Sequence, residues 1–358
     1  MAGKSRSNVT NAGRRRLLVG AAAAAGALAL PQLGRAADEV LVFSGFGGSS
    51  QDILREGLMA PFTKATGIRV VDTGPPDAAK IKAMVETQRV EWDVVHVEAD
   101  FVQRGRNENL LERLDYNVIS TKDVIPEAID DYGITFQFGS TIIAYRTDTF
   151  AAGTGPKSWA DFWDVNRFPG RRSLPKQTYH LFPAALAADG VARDKLYPVD
   201  VDRVFRSLDR IRPHIVKFYD GFPQAQQLIA NKEVDMTSST GARMVILQQQ
   251  GAPVYIEMNQ AIPWGDAWVV PRGAPHKEAA MKFINFAIQN EEGLALKAKK
   301  TYTGMANRRV DRLLDADTKR SLVTTPENFA KTLVGNDRWW ADNRAKMDQL
   351  MTAWLLKG

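Results

Sequence analysis

A two-lobed α/β fold, with the second lobe inserted into the first, is predicted by three features of the sequence. Short apolar runs alternate with amphipathic stretches of helical period, the pattern of a parallel sheet covered by helices. Two segments, near 139–149 and 264–270, break that alternation and read as crossings between two units. A chain of 358 residues, 44% of them hydrophobic, is long enough for two cores rather than one.

The first unit opens with the apolar run Glu39–Phe43, a buried strand ended by Gly45, Gly47 and Gly48. From Ser50 to Phe62 apolar residues recur at helical spacing. Ser49 or Ser50 is placed to cap this helix and Gly67 to end it. Ile68–Val71 is the next strand, Ala78–Thr87 the next helix and Trp92–Val97 the third strand, which implies right-handed crossovers. The second unit follows Ile134–Phe138 and Thr141–Tyr145. It carries helices near 180–188, 202–211 and 223–231, and strands near 214–219, 233–237 and 253–257. A long amphipathic helix, Lys277–Gln289, leads into an all-helical tail. Residues 38–140 and 270–358 are therefore assigned to lobe 1 and residues 141–269 to lobe 2.

Residues 1–37 have the parts of an export signal. Arg14-Arg15-Arg16 precedes an alanine-rich apolar run, Leu17–Leu30, too short to span a bilayer comfortably, and small residues allow cleavage after Ala36 or Ala37. The arginines followed by Leu17-Leu18 fit the twin-arginine pattern; an ordinary Sec signal with a basic front is the alternative. Six of the 47 basic residues, and no acidic one, lie before Ala37, which leaves 41 basic residues against 41 acidic ones. The basic pI thus gives no support to nucleic-acid binding. Cysteine is absent, which excludes disulfides, thiolate metal sites, a cysteine nucleophile and a lipid-modified cysteine tether. A soluble, monomeric periplasmic protein is expected.

Several ordered motifs carry a family resemblance: Ala60–Ile68, Trp92-Asp-Val-Val95, Lys157–Trp163, Phe168–Arg172, Trp264-Gly-Asp266 and Ala280–Phe286. In this order they resemble the periplasmic spermidine/putrescine-binding proteins of ABC importers, and more closely a sister branch of them. The resemblance covers nearly the whole chain after the leader. It implies a type II-like periplasmic binding protein whose lobes close on a small solute, then deliver it to an inner-membrane ABC permease. Neither a cofactor nor a metal is implied.

The resemblance also points to a cleft. Trp264 and Asp266 match that family's pair that stacks on and neutralises an alkyl-ammonium, as an indole face and a desolvated carboxylate should. Glu98 and Asp100, on the loop after the third strand, replace a hydroxyl and an aromatic. Where polyamine binders place acidic residues for a distal amine, this chain has Gln177, Thr178, Tyr179 and His180. Where they place a stacking aromatic it has Ser239 and Thr240, which offer hydrogen bonds but no second negative charge. The loop Ser44–Ser50, with Ser44 and Phe46, leads into a helix N-terminus suited to an anion. A solute with one amine and a polar or anionic far end is expected: polyamine-like, amino-acid-like or opine-like. Each residue also has a plain structural role, Trp264 as packing between lobes and Glu98, Asp100 and the serines as helix caps. Trp339-Trp340 read as packing.

Two other classes fit the sequence less well. An exported enzyme acting on a small polar substrate lacks its chemistry here. His96, His180, His214 and His276 are far apart in sequence, and no H-E-x-x-H, G-x-S-x-G, S-x-x-K or dinucleotide fingerprint occurs. A ferric-iron receptor of similar architecture would want a tyrosine doublet, and none exists.

Overall fold

The computed structural model describes residues 40–357; the leader, with its cleavage and twin-arginine expectations, lies outside the described residues. Ten strands form one mixed sheet: β1 (Val40–Ser44), β2 (Arg69–Thr73), β3 (Val94–Glu98), β4 (Ile129–Asp130), β5 (Gly133–Arg146), β6 (Arg172–Pro175), β7 (Ile215–Tyr219), β8 (Met236–Thr240), β9 (Val254–Val269) and β10 (Gly304–Met305). The order is β2-β1-β3-β9-β5-β8-β6-β7, with β4 and β10 paired to β5. At one end β2, β1 and β3 run parallel, as the strand–helix alternation of the first unit requires. At the other, β8, β6 and β7 do the same for the second unit.

The two parallel halves are joined by a pair of long antiparallel strands. Ile134–Phe138 and Thr141–Tyr145, expected as separate strands, are parts of the 14-residue β5. The expected strand near 253–257 and the segment 264–270 likewise merge into the 16-residue β9. Register shifts between Thr135 and Gln137, and again between Thr141 and Ile143, mark bulges in the β5–β9 ladder. Bulges bend a strand and increase its twist, so the pair turns as it passes from one half to the other. Gly139 sits opposite Trp264 in this ladder, and a Cβ there would fall 2.1 Å from the indole.

Helices cover both faces of each half, and the buried apolar residues form separate cores. Phe43, Phe62, Phe136, Trp268, Phe283 and Ile284 belong to one cluster of the first half, and Ile81, Val95, Phe101 and Val269 to another. In the second half Trp159, Phe162, Phe182 and Leu208 anchor one cluster and Ile142, Ile229 and Met244 the other. Local signals act where expected: Gly67 ends its helix in the left-handed region, and Asp77 caps Ala78–Glu86 by accepting from the Lys80 amide at 2.7 Å. The serine cap is an exception. Gly47 holds the N-cap position of Gly48–Leu54 without a side-chain cap, while Ser49 and Ser50 lie inside the helix.

The tail, assigned to lobe 1 from the sequence, packs against both halves. Leu314 and Leu322 pack in the first half, but the chain then passes over once more, with the Leu333 amide donating to Ala261 O on β9. The last helix, Asp337–Leu356, buries Trp340, Met347, Met351 and Trp354 in the second-half core. No heptad or motif in the sequence said which core would receive this helix; its aromatic residues match the gap between Phe205, Phe218 and Tyr197. Trp354 Nε1 donates to Asp209 at 2.7 Å, and the Arg212 guanidinium lies 4.3 Å from its ring centre. Trp354→Ala is expected to lower the free energy of unfolding by about 3–5 kcal/mol in urea denaturation. A loss below about 1 kcal/mol would show that the helix is not part of this core.

Candidate functional site

The bent β5–β9 pair forms the floor of a cleft of about 1050 Å³ between the two halves. Seven of the residues singled out from sequence line it: Glu98, Asp100, Tyr179, His180, Thr240, Trp264 and Asp266. Their positions follow from the sheet. Glu98 ends β3 and pairs in register with Asp266 on β9, so two carboxylates stand side by side at the strand ends. Tyr179 and His180 open the helix Thr178–Ala188, and Thr240 precedes the helix Gly241–Gln249.

Four predicted residues are placed elsewhere. Ser44 is fully buried at the end of β1, and its Oγ has no hydrogen-bond partner. Phe46 lines a second cavity of about 440 Å³ and sets its ring edge-on to His96, with centroids 4.7 Å apart. Gln177 directs its amide away, Nε2 donating to Asp220 O. Ser239 is enclosed within β8, one residue before Thr240, where strand alternation sends its side chain to the other face. The helix behind the Ser44–Ser50 loop runs on without a break through Arg55–Met59 into Ala60–Thr66, and Ser49 in its first turn lines the cleft. Ser50 Oγ accepts from Lys297 Nζ at 2.8 Å.

Asp266 is the most elaborately surrounded group. Its Oδ2 accepts from Gln137 Nε2 and lies 3.5 Å from His96 Nε2, while Oδ1 takes no hydrogen bond among the described residues. Lys297 is buried close by; burial pushes its pKa down to about 8, against the opposing pull of Asp266. Trp264, two residues earlier on the same face of β9, has its indole against Gly139 and its buried Nε1 without a partner.

Besides Lys299 and Lys300, which line the cleft with exposed side chains, three cations escaped the sequence reading. Lys297 sits in Glu291–Thr301, a stretch rich in lysine that looks like a solvated helix. Arg243, in the first turn of Gly241–Gln249, lines the cleft half-buried; its only side-chain partner among the described residues is Gln226, at 3.3 Å. Burial lowers its pKa, and no carboxylate among the described residues pairs with it. Arg344, on the last helix, bonds Glu98 at 2.9 Å and Asp100 at 2.5 Å. A lone arginine in a polar run gives no sequence signal, because its role depends on a helix packed across the fold.

The residue range 57–320 matches the family model described as bacterial extracellular solute-binding protein. This chain belongs to that family. A solute-binding protein of this kind serves an ABC transporter, and neither the enzyme nor the iron-receptor reading gains support. The chain is 31% identical to a gamma-aminobutyric acid-binding protein of Pseudomonas aeruginosa, over 92% of its own length and 95% of the relative's. It is 26% identical to the spermidine/putrescine-binding periplasmic protein of Escherichia coli K12, over 74% and 78%. A solved GABA receptor superposes with a TM-score of 0.81 at 38% identity, covering 88% and 97% of the two chains. A binding protein from A. tumefaciens R10, solved with agropinic acid, gives 0.72 at 33%, over 89% and 99%. The two-lobed binding-protein fold expected from the sequence is thus the fold of this chain.

The polar wall of the cleft is tuned towards neutrality. His180 Nδ1 is 2.9 Å from Thr141 Oγ1, and desolvation, aided by Arg344, lowers its pKa to about 3. The solute-binding protein therefore presents a neutral imidazole at physiological pH. Tyr179 donates to Asp337 at 2.9 Å, and burial holds its phenol well above the usual range. In the unfolded chain His180 takes a proton below about pH 6.5, whereas the folded protein refuses it until about pH 3. Stability contributed by this group is complete above pH 6.5 and declines as pH falls through that window. Between pH 7 and pH 5 the native protein should lose about 1–2 kcal/mol more than His180→Asn, since the ring keeps an edge on the cleft. Denaturant titrations at the two pH values measure this, and parallel losses would show that His180 protonates freely in the fold.

Proposed function

We propose that this solute-binding protein captures a small solute bearing an amine and a carboxylate, of the ω-amino-acid kind. The observation that carries the reading is the charge arrangement: Asp266, with an open oxygen beside the Trp264 indole, and Arg243, unpaired by any carboxylate among the described residues, line one cleft. An ammonium at Asp266 and Trp264 gains a charge-assisted bond and an aromatic face. A carboxylate at Arg243 also meets the N-terminus of Gly241–Gln249, which has no side-chain cap. Thr240 and His180 supply neutral hydrogen bonds to the portion between. Arg243 joins Tyr179, His180 and Thr240, the residues from the sequence reading that line this end of the cleft. The relatives named for gamma-aminobutyric acid support an amine combined with a carboxylate, and the one solved with agropinic acid supports an acid group.

The biological setting is proposed in the same sense. The leader 1–37 exports the chain to the periplasm, by the twin-arginine route, and the released monomer delivers its solute to an ABC permease without altering it. Lobe 1 comprises residues 38–140 and 270–358 and lobe 2 residues 141–269, with the last helix reaching across: it buries Trp340 and Trp354 in the second-half core and packs along Asp100–Asn107 of the first. Amino-terminal sequencing of the periplasmic protein should give Ala37 or Asp38, and replacing Arg14 and Arg15 by lysine should hold the precursor in the cytoplasm. An uncleaved, cytoplasmic active form would refute both statements.

Calorimetry tests the ligand. 4-Aminobutanoate should bind the native protein more tightly than putrescine, whose second charge would be buried facing Arg243. Asp266→Asn and Arg243→Met should each weaken 4-aminobutanoate by about 2–4 kcal/mol, the loss expected when one partner of a desolvated charge pair is removed. Tight putrescine binding with no heat from 4-aminobutanoate would make this an ordinary polyamine receptor.

A further inference from the structure

We infer that Arg344 is a resident counter-cation that closes an acidic subsite of the cleft to a second positive charge on the ligand, and so sets selectivity between mono-amines and diamines. This rests on the reading of Asp266 as the amine site. Glu98 and Asp100 would, if bare, be a second cation site: they stand beside Asp266 on the strand-end wall, and Asp100 is 13% exposed. The last helix brings Arg344 to them from the second half. One nitrogen, Nη1, bonds both carboxylates, at 2.9 Å and 2.5 Å, and the guanidinium lies 5.7 Å from the Tyr179 ring centre.

The same three residues also line the second cavity of about 440 Å³. The ion pair is therefore a partition shared by two spaces. Behind it stand Asp77 and Asp348 against Arg104, so the hidden space is acidic as well. A ligand whose second ammonium reached this wall would have to sit beside Arg344 as a like charge, or displace it and leave a half-buried guanidinium without partners. Either outcome is unfavourable. Asp100 and Glu98 raise the Arg344 pKa against the opposing effect of its burial, so pH does not lift the barrier in any physiological range.

A purely structural clamp between last helix and first half would affect stability alone, whereas a selectivity residue changes which ligand binds. The experiment compares native protein, Arg344→Gln and Arg344→Met by calorimetry with putrescine, spermidine and 4-aminobutanoate, alongside thermal melting. The methionine variant keeps an unbranched chain against Tyr179 and carries the comparison if the glutamine variant does not fold. Putrescine and spermidine should bind the variants at least about tenfold more tightly than they bind native protein. Adding Glu98→Gln and Asp100→Asn to the Arg344 variant should remove the gain. A folded variant with unchanged or weaker diamine binding overturns the inference. Failure of native protein to bind 4-aminobutanoate would instead count against the amine-and-carboxylate reading, while the change in putrescine affinity still decides the role of Arg344.

Discussion

The antiparallel pairing of β5 with β9 is the constraint on which the rest of the molecule depends. It joins two parallel half-sheets that each have their own cores, and its bulges bend the pair where the halves meet. Because side chains alternate along a strand, the bend presents Trp264 and Asp266 to the same side, over Gly139 and next to Gln137. A residue larger than glycine at 139 would occupy the indole's place. The recognition residues are therefore consequences of strand register, and a one-residue slip would turn all of them out of the cleft.

Placed on that floor, the charges are arranged by mutual restraint. Lys297 is buried next to Asp266 and bonded to Ser50, so part of the carboxylate's field is already answered from within. Arg344 answers Glu98 and Asp100 in the same way. Asp52 and Glu56 on the cleft wall lie against Arg55 and Lys300, while one oxygen of Asp266, the guanidinium of Arg243 and the exposed Lys299 have no ion-pair partner among the described residues. On the proposed reading, an open carboxylate oxygen facing open cations across one cleft suits a zwitterion, because a ligand with a second ammonium would leave that charge unpaired in a low dielectric.

Much of the fold was legible in the sequence, and the reasons are local. The period-two and period-3.6 patterns located β1, β2, β3 and the helix Ala78–Glu86, and Gly67 stopped its helix because a left-handed residue was needed there. The merging of strands into β5 and β9 was not legible, since the bulges look like breaks in a linear pattern. Five of the site residues, Glu98, Asp100, Tyr179, His180 and Thr240, reached the cleft because they sit at strand or helix ends, where topology gathers side chains, while Trp264 and Asp266 lie within β9 on its floor. Ser239 missed it by one position and Gln177 by two, differences that side-chain direction decides. The three cations were invisible for a deeper reason. Lysine and arginine in polar helices are normally solvated, and their burial here comes from packing across elements distant in sequence.

That last point bears on how one fold serves different ligands. The chain shares its architecture with relatives named for gamma-aminobutyric acid, polyamines and agropinic acid. The Trp264–Asp266 segment lies on the ladder that makes the fold, so it can change little without altering strand packing. Arg243 and Arg344 lie on helices that reach the cleft from its rim, and neither holds a strand in register. Substitution at such positions alters the sign and reach of the cleft while leaving the sheet intact. On the proposed reading, selectivity is then a property of the rim, and the amine anchor a property of the floor. This division explains why motifs that identify the family readily say little about which solute each member carries.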